Sequence, residues 1–178
     1  IKSFSSRVYA NDLTVNGILE LAKRPCFQEL DFDIYGRGEL FEELTAPLQK
    51  YKNVHLYERF LTSDEIASIH KTHGIYIGTT RSDTQGVSRS EAMSSGLVAI
   101  ANNCTAIPEF MDDNCGILIP PESYVELADA IERLYNDPAL FQRLSENAAK
   151  RIRSQTSKEF TIDKEIALIE DRHTGANG

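Results

Sequence analysis

Short apolar runs alternate along this chain with longer segments in which apolar positions recur at helical spacing. Six runs of four or five residues predict strands. Several of them are apolar without strict alternation, as expected when helices cover both faces of a sheet. The runs are 1–5, 31–35, 54–57, 75–78, 97–101 and 116–119. Because helical patterns separate them, the order predicts βαβ units and an α/β fold with a parallel sheet.

The starts of several helices are marked independently of the strands. Thr62 with Glu65, and Ser123 with Glu126, fit the capping box, in which a hydroxyl and a carboxylate satisfy the first free amides of a helix. Pro138 opens a further helix, since proline is tolerated in the first turn.

Length and composition fit a single domain. The chain has 178 residues, of which 41% are apolar, and it can bury one sizeable core. We expect one domain over 1–178, made of a core at about 1–157, a C-terminal helix at 158–171 and a flexible tail at 172–178. Because Ile1 enters the first predicted strand without a preceding turn, we also expect the chain to be cut from a longer protein.

Charge and cysteine content argue against several classes of function. The 27 Asp and Glu residues outnumber the 19 Lys and Arg residues, and no basic cluster is long enough to bind nucleic acid. The three cysteines are widely spaced and form no C-x-x-C pair, so neither a zinc site nor a disulfide framework is supported. No apolar run reaches the roughly 18 residues that span a bilayer. We therefore expect the chain in the cytoplasm or at the inner face of the membrane.

The segment from Gly78 to Glu109 carries the candidate chemistry. It begins where a predicted strand ends, and ligands of open parallel sheets bind outside the carboxyl ends of the strands. Residues 79–85 are polar, Gly86 permits close approach of the backbone, and a helix begins near Ser88. Such a turn offers unpaired N–H groups and the positive end of a helix dipole to an anion such as a diphosphate.

Asp83 and Glu91 form a candidate acidic pair in this segment. Carboxylates beside a phosphate site make sense as acceptors for vicinal sugar hydroxyls, and each such hydrogen bond contributes about 1.5–3 kcal/mol. Two simpler interpretations stay open: Asp83 as a turn former, and Glu91 as an acid favoured by the helix dipole.

These residues resemble a known family. Asp83, Gly86 and the run EAMSSG at 91–96 closely resemble the EGFGxxxxEAMACG signature of retaining glycosyltransferases of family four. Further segments are similar to family motifs in the same order: FDIYGRG (32–38), NVHLYERF (53–60), AIPEF (106–110) and NCGILIPP (114–121). The resemblance implies the C-terminal donor-binding domain of a two-domain GT-B enzyme, with a Rossmann-like sheet and an N-terminal acceptor domain that this chain lacks.

The resemblance also implies roles for individual residues. Glu91 would hold the ribose hydroxyls of the nucleotide, Asp83 would contact the transferred sugar, and Arg7 would pair with the diphosphate. Together these three would be the catalytic residues. The remaining substrate contacts would come from Arg59 and Phe60 beside the base, and from the loop residues Thr84, Gln85, Gly86, Val87 and Ser88.

The implied reaction is transfer of a hexose from a nucleoside diphosphate to a glycan or glycolipid, as in polysaccharide biosynthesis, with retained anomeric configuration. It needs neither a metal ion nor a cofactor besides the nucleotide sugar. We expect the isolated domain to be inactive, since the acceptor site would lie on the N-terminal domain. That domain could also associate with the membrane surface.

The chain departs from the family pattern at three places. Asp12 stands where the family has a lysine beside the diphosphate, so another cation, Arg37, Arg81 or Arg89, would have to compensate. Asp83 is one methylene shorter than the usual Glu, and Thr105 with Ala106 replaces a pair of glycines. Two alternative functions therefore remain: a degenerate, non-catalytic nucleotide-binding module, and a sugar epimerase of similar fold.

Overall fold

The computed structural model describes residues 2–156 together with 162, 165–167 and 169. Strands and helices alternate throughout this part of the chain, as the sequence predicts. The strands are β1 (Lys2–Ser3), β2 (Phe32–Arg37), β3 (Val54–Glu58), β4 (Ile75–Ile77), β5 (Val98–Asn102) and β6 (Gly116–Ile119). The α-helices are α1 (Asn11–Leu21), α2 (Phe41–Thr45), α3 (Ser63–His70), α4 (Val87–Ser94), α5 (Ile107–Phe110), α6 (Tyr124–Asn136) and α7 (Pro138–Thr156). Short 3-10 turns occur at Arg7–Tyr9, Pro25–Glu29 and Ala46–Leu48.

All six predicted strands are present and parallel, which confirms the α/β class. The single sheet that the pattern predicts is divided, however. Across the described residues, hydrogen bonds join β1, β2 and β3 into one three-stranded sheet and β4, β5 and β6 into another. Among these residues, β1 pairs with Gly36 and Arg37 of β2 and forms no ladder with β4. Ile1, the first residue of the predicted strand, lies outside the described residues.

One apolar core nevertheless spans both sheets. Val98 and Ile100 of β5 belong to the same buried cluster as Phe27, Leu48 and Val54, which pack around β2 and β3. Helices α1 and α6 pack against each other over this core. Their close approach depends on Gly17, because a Cβ atom there would lie 2.5 Å from Cδ2 of Leu127. The two sheets are thus held together by side-chain packing rather than by a continuous hydrogen-bond ladder.

The predicted helix starts have different outcomes. The Thr62 and Glu65 capping box is confirmed, with both reciprocal hydrogen bonds present. The Ser123 box is wrong: α6 begins at Tyr124, but the Ser123 side chain accepts no hydrogen bond from the first turn, and Glu122 before it is held by Arg81 in a left-handed conformation. Helix α7 begins at Pro138 as predicted.

The end of the chain is only partly described. Residues 162, 165–167 and 169, which lie in the helix predicted at 158–171, are helical. The rest of that segment and the predicted tail at 172–178 lie outside the described residues. Over the part that is described, no helix combines the length and the hydropathy needed to cross a bilayer.

Candidate functional site

The loop between β4 and α4 is anchored to two neighbouring elements. Buried Thr79 donates from its hydroxyl to the carbonyl of Ala10 at 3.0 Å, just before α1. The amide of Thr80 donates to Oδ1 of Asn102 at the end of β5 at 2.8 Å. The amide of Arg81 donates to the carbonyl of Val8 at 2.8 Å. These bonds fix the loop at the carboxyl ends of the strands, where the sequence predicts a site.

Asp83 holds the tip of this loop together. Its Oδ1 atom accepts hydrogen bonds from the amides of Gln85 at 3.1 Å and Gly86 at 2.8 Å. Thr105, at one of the two departing glycine positions, accepts from the Asp83 amide and donates to the Asp83 carbonyl at 2.8 Å. The turn-forming interpretation of Asp83 is therefore confirmed. The Oδ2 atom makes no hydrogen bond to any residue that the structure describes.

Helix α4 begins at this tip with its first amides free. Gly86 has a φ of 68°, a left-handed conformation that favours glycine, and no side chain caps the helix. The first intrahelical bond runs from the amide of Ser90 to the carbonyl of Gly86, so the amides of Val87, Ser88 and Arg89 point past the end of the helix. The amide of Gly86 is not free in the same way, because it donates a hydrogen bond to Oδ1 of Asp83.

Glu91 lies one turn further along α4 and is exposed. Its carboxylate makes no hydrogen bond or ion pair within the described part of the chain, although its backbone carbonyl accepts from the hydroxyls of Ser94 and Ser95. Burial lowers the pKa of nearby His70, and the Glu91 charge opposes that effect. The structure thus brings Asp83, the free amides and Glu91 together on one loop and helix.

Arg7 and Asp12 belong to a network of ion pairs beside the loop. Arg81 contacts both carboxylate oxygens of Asp12, at 2.8 and 2.9 Å, and these hydrogen bonds lower the pKa of Asp12. Arg81 also pairs with Glu122, and Arg7 pairs with Glu43 at 3.0 Å. Of the three arginines that could compensate for Asp12, Arg81 is the one that contacts it.

Arg59 and Phe60 follow β3 in the other sheet. Arg59 pairs with Glu65 at 2.7 Å and lies over the ring of Tyr35, while 57% of Phe60 is exposed. Within the described residues, no hydrogen bond or ion pair connects either residue to the loop at 83–91.

Arg89 is the residue whose position the sequence does not reveal. Only 3% of it is exposed, and burial lowers its pKa. It donates to the carbonyl of Gln85 at 2.8 Å and lies over the ring of Phe110, but its Nε atom has no hydrogen-bond partner among the described residues. Its helical register with Ala92 and Met93, which share the buried face of α4, is the only sequence signal that could have identified it.

The described residues contain no group of three or more His, Cys, Asp and Glu side chains that could hold a metal ion. The three cysteines are free thiols, of which Cys26 and Cys115 are buried. The candidate site therefore consists of backbone amides, two carboxylates and nearby arginines.

Comparison with known proteins places this geometry in a family. The family model described as glycosyl transferases group 1 matches residues 5–151. Alpha-D-kanosaminyltransferase of Streptomyces kanamyceticus is 31% identical over 91 residues, which are 51% of this chain and 24% of that protein. The chain thus spans about a quarter of the length of this curated relative.

Two solved structures share the fold. The C-terminal domain of a glycosyl transferase group 1 family protein (LpcC) from Francisella tularensis has a TM-score of 0.73 and 22% identity, covering 86% of this chain and 83% of that one. Pneumococcal O-GlcNAc transferase GtfA, in complex with UDP and GlcNAc, has a TM-score of 0.77 and 23% identity, covering 96% of this chain and 35% of that one. Because the family model matches most of its length, this chain belongs to the glycosyl transferases group 1 family.

Proposed function

We propose that this domain binds a nucleoside-diphosphate sugar at the start of α4 and acts as the donor-binding half of a retaining hexosyltransferase. The observation that carries the proposal is the uncapped end of α4, where the amides of Val87, Ser88 and Arg89 are free beside the unpaired carboxylate of Glu91. A helix end of this kind favours an anion through both its amides and its dipole.

The two carboxylates have separate roles in this proposal. Glu91 accepts hydrogen bonds from the ribose hydroxyls, since its side chain is exposed and unpaired in the described part of the chain. Asp83 uses Oδ1 to hold the loop and offers Oδ2 to a hydroxyl of the transferred sugar. The complex of pneumococcal GtfA with UDP supports a nucleoside diphosphate as the first ligand to test.

Stabilisation of the leaving diphosphate requires positive charge. The network beside the loop supplies little, because its arginines already contact the carboxylates of Asp12, Glu43 and Glu122. Arg89, by contrast, has no carboxylate within ion-pair distance among the described residues. Charges interact more strongly in a buried setting of low dielectric. We therefore assign the compensating positive charge to Arg89 and to the end of α4.

In the proposed reaction, the bond between sugar C1 and the diphosphate oxygen breaks, and the acceptor hydroxyl bonds to C1 on the same face. The acceptor's proton passes to the leaving diphosphate, so no side chain of this domain acts as a general base. The protein contributes mainly electrostatic stabilisation. The acceptor, a glycan or glycolipid, binds on an N-terminal domain.

Nucleotide titration of this chain tests the donor site. We expect UDP or GDP to raise the melting temperature. The reason is that a ligand at 100 times its Kd adds about 2.7 kcal/mol to the free energy of unfolding. Glu91→Ala should weaken binding about tenfold or more, because it removes hydrogen bonds to an ionised acceptor. Ser94→Ala, an exposed change on the same helix, is the matched control. Equal binding by the parent and both variants would contradict the assigned site.

A second experiment separates the enzyme from its alternatives. The full-length protein is incubated with several nucleotide sugars and a mixture of glycan and glycolipid acceptors, and the anomeric configuration of the product is determined by NMR. Transfer with retention supports the proposal. Tight nucleotide binding without turnover would favour a non-catalytic module, which the Asp12 departure suggests, and a change in the free nucleotide sugar would favour an epimerase.

A further inference from the structure

Three residues other than glycine adopt a left-handed backbone in the part of the chain that the structure describes. They are Ala10 with a φ of 50°, Thr105 with a φ of 46° and Glu122 with a φ of 57°. Each lies in the connection that follows a strand: Ala10 comes after β1, Thr105 after β5 and Glu122 after β6. The left-handed positions are therefore confined to connections and do not interrupt the strands or helices.

Each of these residues forms a hydrogen bond with a different residue of the loop between β4 and α4. The pairs are Ala10 with Thr79, Glu122 with Arg81 and Thr105 with Asp83. Left-handed residues other than glycine persist where the surrounding structure holds them in place, and they cluster at functional sites. The strained positions thus surround the loop that carries the candidate site.

Thr105 is the least expected of the three. Its Cβ atom is branched, and a positive φ is a genuine outlier for a residue of that kind. Glycine would adopt the same conformation without the steric cost. A contact made by the Thr105 side chain, which glycine lacks, would account for the residue that stands here.

The hydroxyl of Thr105 makes such a contact. Its Oγ1 atom accepts from the amide of Asp83 at 3.2 Å and donates to the carbonyl of the same residue at 2.8 Å. Among the described residues, no other group forms a hydrogen bond with this amide or this carbonyl. One side chain therefore holds both polar backbone groups of Asp83 and joins the tip of the loop to the segment after β5.

The Asp83 carboxylate is also held from within its own loop. Its Oδ1 atom accepts from the amides of Gln85 and Gly86, which restricts the rotation of the side chain. These two bonds would move together with the loop. The contacts with Thr105 reach a different segment, so they relate the loop tip to the rest of the fold. The place of the Oδ2 atom depends on both sets of bonds.

The base of the loop is attached separately. The amide of Thr80 donates to Oδ1 of Asn102 at 2.8 Å, and the thiol of Cys104 donates to the carbonyl of Thr80 at 3.4 Å. These bonds lie three residues before Asp83 and do not involve Thr105. Loss of the Thr105 hydroxyl should therefore release the tip of the loop while its base stays attached.

We infer that Thr105 is a positioning residue for the transferred sugar: its hydroxyl fixes the backbone of Asp83, so that Oδ2 is held in one place for a sugar hydroxyl. The inference rests on the proposed role of Asp83. A binding site is effective when supporting hydrogen bonds hold the contacting group within about 0.5 Å of its place. No hydrogen bond connects Thr105 to Glu91 or to the free amides of α4 in the described residues, so the effect should concern the sugar and not the nucleotide.

Three substitutions at this position separate the hydroxyl from the backbone strain. Thr105→Val keeps the branched shape and removes the hydroxyl, Thr105→Ser keeps the hydroxyl without the branch, and Thr105→Gly removes both. Thr72→Val is the matched control, because Thr72 is also exposed and its hydroxyl donates to the carbonyl of Ile69 rather than to the loop.

The first measurement is the mobility of the loop tip without ligand, given by the NMR order parameters of the amides at 83–86. We expect about 0.85 in the parent chain, in Thr105→Ser and in the control, and below about 0.6 in Thr105→Val and Thr105→Gly. Thr105→Gly should melt a few degrees above Thr105→Val, because only glycine relieves the left-handed strain.

The second measurement is calorimetric binding of UDP-glucose, UDP-GlcNAc and GDP-mannose, each compared with its free nucleotide. For the nucleotide sugar that binds the parent chain most tightly, we expect Thr105→Val to lower the affinity about fivefold or more, since the bond from the sugar to Asp83 is weakened. The affinity for the free nucleotide should stay near that of the parent chain. Thr105→Ser should retain the parent's affinity for both ligands.

Several outcomes would overturn the inference and leave the proposed function standing. They are a rigid tip in Thr105→Val, a mobile tip in Thr105→Ser, and unchanged affinity of Thr105→Val for the nucleotide sugar. Equal loss of affinity for the nucleotide sugar and the free nucleotide is also contrary, because it would show that Thr105 only stabilises the loop. If the parent chain binds none of these ligands, the proposed donor site fails, and the role of Thr105 toward the sugar fails with it.

Discussion

Asp83 shows how one side chain can carry both a structural and a functional interpretation. The Asp83 carboxylate, which is one methylene shorter than a Glu side chain, accepts hydrogen bonds from two amides of its own loop, as Asp commonly does in turns. Only its Oδ2 atom is left for a ligand. A substitution at this position therefore changes the loop and the sugar contact together unless the loop acceptor is retained.

Asp83→Asn separates the two roles. The amide oxygen of Asn can accept the same bonds from Gln85 and Gly86, so we expect an unchanged melting temperature and unchanged binding of plain nucleotide by calorimetry. The affinity of this variant for nucleotide sugar should fall about tenfold, because the charged acceptor for the sugar hydroxyl is lost. Asp83→Ala should weaken both ligands, because the loop loses its acceptor. Equal effects of Asn and Ala on both ligands would show that Asp83 has a turn-forming role alone.

The Asp12 and Arg81 pair predicts a dependence of stability on pH. Hydrogen bonds from Arg81 lower the pKa of Asp12 below its ordinary 3.8. A carboxylate with a lowered pKa stabilises the fold above its unfolded-state pKa, and that contribution is lost as the pH falls through the folded-state value. Asp12→Asn should therefore destabilise the chain near pH 7 in urea unfolding, and its difference from the parent should shrink below pH 3.8.

Asp113→Asn is the control for that experiment, since Asp113 makes no ion pair in the part of the chain that the structure describes. Its effect should be small at all pH values. A destabilisation by Asp12→Asn that persists unchanged at the lowest pH would contradict the electrostatic explanation and indicate a packing effect.

At the scale of single elements, the start of α4 depends on one glycine. Gly86 combines a left-handed backbone with a close neighbour, because a Cβ atom there would lie 2.6 Å from the Arg89 guanidinium. Both the backbone conformation and the space are therefore restrictive. The same turn exposes the amides on which the proposed function depends.

Gly86→Ala should destabilise the chain by about 1–2 kcal/mol, the cost of a left-handed non-glycine residue. It should also weaken nucleotide binding, since relief of the contact moves either the turn or Arg89. Thermal unfolding and calorimetry measure the two effects. Gly96→Ala is the matched control: it has a similar φ of 88° but the nearest described atom is at 3.4 Å and belongs to Ser145. Weaker binding in both variants would indicate a general loss of stability.

The contact between α1 and α6 allows a test of packing. Gly17→Ala introduces a methyl group 2.5 Å from Cδ2 of Leu127, and overpacking of this kind costs about 1–3 kcal/mol. In a Leu127→Ala background the same substitution should cost much less, because of the Leu127 atoms only Cβ, at 3.2 Å, stays close to the new methyl group and Ala favours a helix. A double-mutant cycle in urea measures the coupling, and an unchanged cost in both backgrounds would contradict the proposed contact.

The strands and most helix positions could be predicted from the sequence because burial and helical spacing leave clear patterns. The Ser123 cap could not, since Glu122 is engaged by Arg81, which is distant in sequence. The same is true of the Asp12 pair and of the burial of Arg89: both depend on contacts between elements. Asp83 and Glu91 could be found from motif spacing, while the division of the sheet required the register of β1.

At the scale of the whole molecule, an apolar core shared by two three-stranded sheets supports the candidate site at the carboxyl ends of the strands.

The most direct test of the proposed function is an NMR titration of the labelled chain with UDP and GDP. We predict saturable shifts centred on the amides of Val87, Ser88 and Arg89, with smaller shifts at Glu91 and in the loop at 83–86. Shifts confined to residues that line the cavity between the two sheets, such as Ile34 and Ile75, or no shifts at millimolar nucleotide, would contradict the assignment of the donor site to the start of α4.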